Sequence, residues 1–305
     1  MKKQSGFEKF SKGQKSGARR EQFRQEKRQF KKELTERAER KKLELKQKEE
    51  GGERPKIKVQ RKPQEQMPLN KYIAHSGLCS RRDAVELIKG GKVKVNGELV
   101  LEPGLKIGEG DEVKVAGKKV EPAQELVYIL LNKPKDYITT TDDPQKRKTV
   151  LDLIKQATKE RVYPVGRLDR NTSGVLLLTN DGELSQKLTH PSNEIKKVYA
   201  VTLDKPLTKA DFEAILKGVE LEDGMANVDT LAYTDTADKT QIGVEIHSGR
   251  NRIVRRIFEH LGYDVKALDR VMFAGLTKKN VNRGKYRFLN EKEVRELKFF
   301  GKGKK

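Results

Sequence analysis

One cysteine, no tryptophan and an aromatic share of 6% withhold several common devices from this chain. The lone Cys79 excludes an internal disulfide and a Cys-rich zinc site. Four scattered histidines argue against a metal centre. No apolar run approaches the roughly 18 residues that span a bilayer. The first residues contain no apolar core of the signal-peptide kind, so a soluble, cytoplasmic protein is expected, with no membrane partner. Apolar residues are also scarce overall, at 34%, against roughly 45–50% in ordinary globular chains. Acidic residues fall well short of basic ones, 45 against 67, which leaves a formal charge of +22. An excess of that size favours a polyanionic partner, above all a nucleic acid.

The charge is unevenly placed. Residues 1–66 hold 23 Lys/Arg and 11 Asp/Glu, so +12 of the +22 lies there. This segment has too few aliphatic residues to offset its chain entropy by burial, and reads as a disordered basic tail and linker. From Arg19 to Glu50 it lacks Gly and Pro and carries charges at i, i+4 spacing, the pattern of a transient charged helix.

Order begins near residue 67. In "PLNKYIAHSGLCSRRDAVELIKGGKVKVNGELV", Leu69, Ile73 and Leu78 bracket a first helix that Gly77 stops. Ser80 with Asp83 three residues on forms a capping box for a second helix, whose stripe is Ala84, Leu87 and Ile88. Asn96-Gly97 is a type I′ hairpin signal, and Val113 and Val115 mark a further strand.

A second unit starts at "ELVYILLNKPKDYITTT", with a buried strand over Val127–Leu131 followed by a Lys-rich turn, "NKPKDY". Then comes "VGRLDRNTSGVLLLTNDGEL". Gly174 to Thr179 is one apolar run, a core strand that ends in an Asn180-Asp181-Gly182 turn. The loop leading into it carries Arg167, Asp169 and Arg170. A carboxylate at the mouth of a core strand is costly unless it is paired, and the flanking arginines favour its ionised form. Downstream, Tyr199 shares a strand face with Val201 and Leu203. In "GRNRIVRRIFEHLGY", Ile253, Val254, Ile257, Phe258 and Leu261 fall on one side of a helix. Arg252, Arg255 and Arg256 lie on the other side, and Gly262 stops the helix.

Two resemblances emerge from these stretches. The segment "LNKYIAHSGLCSRRDAVELIKGGKVKVNG" resembles the alpha-L RNA-binding module, which implies RNA phosphate contacts by Arg81 and Arg82 and, more weakly, by Lys71 and Lys92. Three ordered stretches, "GRLDRNTSGVLLLTNDGEL", "EIKKVYAVTL" and "HSGRNRIVRRIFEHLGYDVKALDRVMFAGL", resemble the bacterial ribosomal pseudouridine synthases. The similarity runs over roughly residues 67–300. It leaves the tail (1–66) unexplained and implies an α+β protein made of an alpha-L module (67–122) and a catalytic domain with a mixed, largely antiparallel sheet (125–301). It further implies Asp169 as the active-site carboxylate, Tyr199 as the active-site tyrosine and Arg255 as the basic partner of Asp169. Arg167, Arg250, Arg252 and Arg256 would bind RNA.

The implied reaction is an isomerisation of uridine to pseudouridine in ribosomal RNA. It has no group donor and no redox change, so neither cofactor nor metal is expected. The wording is closest to the large-subunit type B branch, which favours 23S rRNA, free or in an assembly intermediate. The alternatives are a 16S site or a noncatalytic RNA-binding or ribosome-assembly protein. Nothing in the sequence signals an oligomer, so a monomer is expected. The histidines His190 and His247 border the motifs and read as loop or packing residues.

Overall fold

The structure is a computed structural model, and it describes residues 66–299 apart from Gln124 and Thr236. The tail and its anticipated helix lie outside the described residues. Among those residues no helix is long and apolar enough to cross a membrane.

The first elements are strand β1 (Met67–Pro68), helices α1 (Leu69–His75) and α2 (Arg81–Lys89), and strands β2 (Val93–Val95), β3 (Glu98–Leu99), β4 (Lys106–Ile107), β5 (Val113–Val115) and β6 (Lys118–Val120). The capping box of α2 forms as the sequence predicts: the Ser80 hydroxyl accepts from the Asp83 amide, and the Asp83 carboxylate accepts from the Ser80 amide. Asn96 and Gly97 both take positive φ, as a type I′ turn demands. A small separate core, with Leu69, Ile73, Ala84, Ile88, Val93 and Val113 fully buried, holds the module together. Leu78 departs from expectation. It lies past the end of α1 and is 53% exposed.

The larger unit continues with β7 (Tyr128–Lys133), β8 (Tyr163–Pro164), β9 (Thr172–Thr179), α3 (Gly182–Thr189), β10 (Lys197–Leu203), α4 (Lys209–Lys217), β11 (Val219–Leu221), β12 (Gly224–Ala226), β13 (Thr230–Tyr233), β14 (Gln241–Ile246), α5 (Ile253–His260), β15 (Val265–Phe273), β16 (Leu276–Thr277), β17 (Tyr286–Phe288) and α6 (Glu291–Phe299). Its main sheet runs β13-β14-β10-β15-β9-β7-β17. Only the β9–β15 pair is parallel, so the sheet is mixed and largely antiparallel, as expected.

The unbroken apolar run of β9 has a simple cause. Val175 and Leu177 face a core shared with α3 and α6. Leu176 and Leu178 face the opposite core, with Val150, Ile154 and Leu168. Covered on both faces, the strand has no polar side to show. Thr172 and Ser173, read from sequence as loop residues, are already part of the strand and buried. The anticipated turn at 180–182 is instead the start of α3, capped by the Asp181 carboxylate.

Helix α5 buries Ile253, Val254, Ile257 and Phe258, as its apolar stripe requires. It closes with the Gly262 amide on the Glu259 carbonyl and the Tyr263 amide on the Phe258 carbonyl. This pair of bonds is a Schellman stop, with Gly262 at φ +77°.

Gly174 brings β9 and β15 together closely. It pairs with Arg270 across the parallel ladder. A Cβ at its position, where φ is +112°, would lie 2.1 Å from the Arg270 carbonyl oxygen. Only glycine permits that approach. The result sets the loop before β9 beside the strands β15 and β10.

Candidate active site

A cavity of about 620 Å³ opens at this end of the sheet, within the roughly 300–1,000 Å³ range of small-ligand sites. Asp169, Arg167, Tyr199 and Arg270 all line it. The sequence motifs separated by up to a hundred residues therefore meet at one place.

The loop that carries Asp169 is held by its main chain. Lys133, wholly buried at the end of β7, donates its ammonium to the carbonyls of Pro134 (3.0 Å), Asp169 (3.0 Å), Arg170 (3.3 Å) and Thr172 (2.8 Å). The Thr139 hydroxyl donates to the Leu168 carbonyl at 2.8 Å. Arg255 donates from Nη2 to the Asn171 carbonyl at 3.4 Å. Every carbonyl from Leu168 to Thr172 thus accepts a side-chain bond. The half-buried carboxylate of Asp169 stays among the cavity-lining groups while its backbone is fixed. Lys133 was read from sequence only as part of a Lys-rich turn. Instead, burial pushes its ammonium down to about 8, against the opposing pull of the Asp169 and Asp136 carboxylates.

The two arginines flanking Asp169 do not clasp it. Arg170 turns away to pair with Asp136 at 3.2 Å, and Arg167 is exposed at the cavity wall. Nor does Arg255 form the anticipated ion pair: among the described residues no salt bridge joins it to Asp169. Its guanidinium, 7% exposed, donates to the Val265 carbonyl at 2.8 Å and to Asn171. Burial and the nearby Arg252 hold its pKa below the usual arginine range, and Asp169 favours its charge in return. Arg255 is therefore an electrostatic neighbour of Asp169 that also braces its loop.

Tyr199 sits on β10 opposite Arg270 of β15. Its ring packs against the cores on both sides while facing the cavity. Arg270 is 2% exposed, and burial holds its pKa below the usual arginine range against the opposing pull of the hydrogen-bonded Tyr199 hydroxyl. Lys197, two residues before Tyr199, also lines the cavity. Its ammonium donates to the Ile195 and His247 carbonyls at 2.7 and 2.5 Å. Burial, then the Arg270 charge, lowers its pKa to about 8.

The other basic candidates divide. Arg81, Arg82 and Lys92 are exposed on the small module. Lys71 pairs with Glu183 of α3 at 3.2 Å, across to the larger domain. Arg256 forms a two-pronged pair with Asp223, at 2.6 and 3.0 Å. Arg250 donates to the Asp223, Gly224 and Met225 carbonyls, all within 3.0 Å. Together they pin the β11–β12 hairpin, which sets Met225 at the cavity rim. Arg252 pairs with Glu259 at 3.0 Å. His190 and His247 both line the cavity, and His247 is hydrogen-bonded to Asp229. Sequence missed Lys133, Lys197 and Arg270. Lys197 and Arg270 lie inside the second and third motifs, the one available signal for them, whereas Lys133 lies outside all three.

Comparison with known proteins gives this geometry a family. A profile described as RNA pseudouridylate synthase matches residues 127–260, and one described as S4 domain matches residues 67–113. The chain is 44% identical over 232 residues to the ribosomal large subunit pseudouridine synthase B of Bacillus subtilis, covering 75% of this chain and 94% of that one. It is 35% identical over 237 residues to the dual-specificity RNA pseudouridine synthase RluF of Escherichia coli, covering 77% and 79%. A solved pseudouridylate synthase superposes with a TM-score of 0.56 at 29% identity, over 76% of this chain and 99% of that one.

The fold and the cavity define an RNA-modifying isomerase with an attached RNA-binding module. The chain belongs to the RNA pseudouridylate synthase family, and it converts uridine to pseudouridine.

Proposed function

We propose that this enzyme modifies a specific uridine of ribosomal RNA, in the large-subunit 23S molecule, with Asp169 as the essential carboxylate. The reaction breaks the N1–C1′ bond, turns the base and rejoins it through C5. Asp169 acts at the sugar, either by attacking C1′ or by taking a ribose proton. An ordinary aspartate is ionised at neutral pH and ready for either role. Tyr199 stacks on the extruded uracil, which must leave its helix to reach the cavity. Arg255 supplies positive charge beside Asp169.

Residues 67–122 dock the RNA through Arg81, Arg82 and Lys92, contacts that position without reading sequence, and residues 125–301 carry the chemistry. The protein works in the cytoplasm as a monomer, on free rRNA or an assembly intermediate. One observation carries the catalytic reading: five consecutive carbonyls around Asp169 are tied down while its carboxylate lines a cavity with Tyr199. A pure RNA binder gains nothing from an anion in an RNA-facing cleft, since it repels phosphate.

The test is pseudouridine mapping on rRNA from cells with and without this gene. Loss of one 23S site supports the proposal. Loss of a 16S site instead moves the substrate to the small subunit, and no change at any rRNA site overturns the ribosomal assignment.

A further inference from the structure

Arg270 presents an electrostatic problem. Its side chain is 2% exposed, yet among the described residues no carboxylate lies within ion-pair distance of it. The neighbouring acid, Asp269, points the other way, to Ser173, Lys278 and Arg283. Another cation, Lys197, is close enough for its own charge to be disfavoured by Arg270, and each lines the same cavity. Burying an ion without a counter-ion costs several kcal/mol, even after relaxation.

The guanidinium is only partly satisfied. Nε donates to the Val175 carbonyl at 2.8 Å, and the fork lies 4.6 Å from the Phe273 ring centroid. Tyr199 is a further partner. Nη2 is buried with no hydrogen-bond partner in the protein. A chain that only needed volume here could use methionine or leucine at lower cost.

The position explains the charge. Strand β15 lies between β9, which Asp169 leads into, and β10, which carries Tyr199. Arg270 pairs with Gly174 on one side and Tyr199 on the other. It therefore stands between the group that acts on the sugar and the ring that faces the base. When N1–C1′ breaks, its electron pair stays with N1 and the base becomes an anion shared among N1, O2 and O4. Either route for Asp169 produces that anion. C5 then bonds to C1′ as Asp169 leaves that carbon or returns the ribose proton it took, C5 gives up a proton and N1 gains one, so atoms balance without a co-reactant.

We propose that Arg270 is a catalytic residue whose guanidinium donates to a carbonyl oxygen of the detached uracil, holding the anion until C5 bonds to C1′. This rests on the functional reading above. The anion that arrives during the reaction is the counter-charge that the resting protein lacks. Preorganised donors of this kind act on charge that develops in the transition state.

The test uses full-length protein, single-turnover conditions and two RNAs, one with uridine at the target and one with 5-fluorouridine. Fluorine stabilises the uracil anion and lessens the need for Arg270. The readout is loss of the N1-linked nucleoside after digestion. Arg270→Gln should slow the uridine substrate by about 10³-fold and the fluorinated one by only about tenfold, with RNA affinity within about threefold of wild type. Arg270→Lys keeps the charge without the fork and should recover an intermediate rate on uridine. Equal losses on both substrates, in either variant, would mean a packing role and overturn the proposal. If wild type consumes neither substrate, the functional reading fails, and Arg270 falls with it. An Asp169→Asn control that is as active as wild type would remove the functional reading while leaving the two-substrate comparison intact.

Discussion

The buried ammonium of Lys133 lies 3.0 Å from the main-chain carbonyl oxygen of Asp169 and 2.8 Å from that of Thr172. One side chain thus ties the end of β7 to the loop that presents the carboxylate. It has two consequences, one for activity and one for pH dependence.

Removing the ammonium should disorganise the loop while leaving RNA docking untouched. Lys133→Met leaves four carbonyls without their shared donor, and each buried acceptor left unsatisfied costs about 1–3 kcal/mol. The relief of burying a charge offsets part of this. The expected outcome is a turnover rate lower by about 10²-fold, as misplacement of a reacting group by about 1 Å produces, with RNA affinity within about threefold. Single-turnover kinetics beside equilibrium binding would check it. Equal falls in affinity and rate would contradict it.

Lys133 and Lys197 both release their protons near pH 8 in the fold, because burial disfavours the ammonium. An unfolded lysine holds its proton up to about 10.4. Between those values the unfolded chain binds more protons than the folded one, so raising the pH favours folding through these groups. Below about 8 both states are protonated and the contribution is flat. Urea denaturation from pH 7 to 10 should show wild type gaining stability relative to Lys197→Met above pH 8. A relative loss in that window would show the sign to be wrong.

Arg250 and Arg256 clamp the β11–β12 hairpin through Asp223, whereas Arg81 and Arg82 are exposed. Each phosphate contact contributes about −0.7 to the log–log salt slope of single-stranded binding. Arg81→Ala should therefore flatten the slope by about that amount, and Arg256→Ala should leave it unchanged while slowing turnover. Fluorescence anisotropy across a salt series would measure both. A flatter slope for Arg256→Ala would return that residue to the RNA interface.

Gly174→Ala should be among the most damaging single substitutions. Its new methyl would meet the Arg270 carbonyl at 2.1 Å and the Asp269 carboxylate at 2.6 Å, at a φ that L-residues avoid. The loss should reach at least about 3 kcal/mol, in the range of strain and overpacking combined. Thermal unfolding would show it. A melting temperature near wild type would mean that β9 and β15 can separate without cost.

Local chemistry made much of this architecture readable in advance. The Ser80–Asp83 capping box, the Asn96-Gly97 turn and the stripe of α5 each depend on residues within a few positions of one another, and each forms as expected. The apolar run of β9 announced a strand covered on both faces. The pairing of charges was not readable. Lys133 is buried by carbonyls that lie 36 to 39 residues further on, and Arg256 finds its partner 33 residues back. Arg170 looked like a guard for Asp169 only because sequence adjacency hides the direction of a side chain, which here leads to Asp136. Arg270 showed only as one polar position in an ordinary strand. Its meaning comes from the two strands beside it.

The central claim is that Asp169 performs chemistry on a uridine and does not merely bind RNA. It is tested most directly by purified Asp169→Asn, assayed for pseudouridine formation in rRNA and for RNA affinity. The variant should keep affinity within about threefold of wild type and lose at least about 10³-fold in rate, a barrier increase of about 4 kcal/mol. Near-normal turnover by this variant would contradict it.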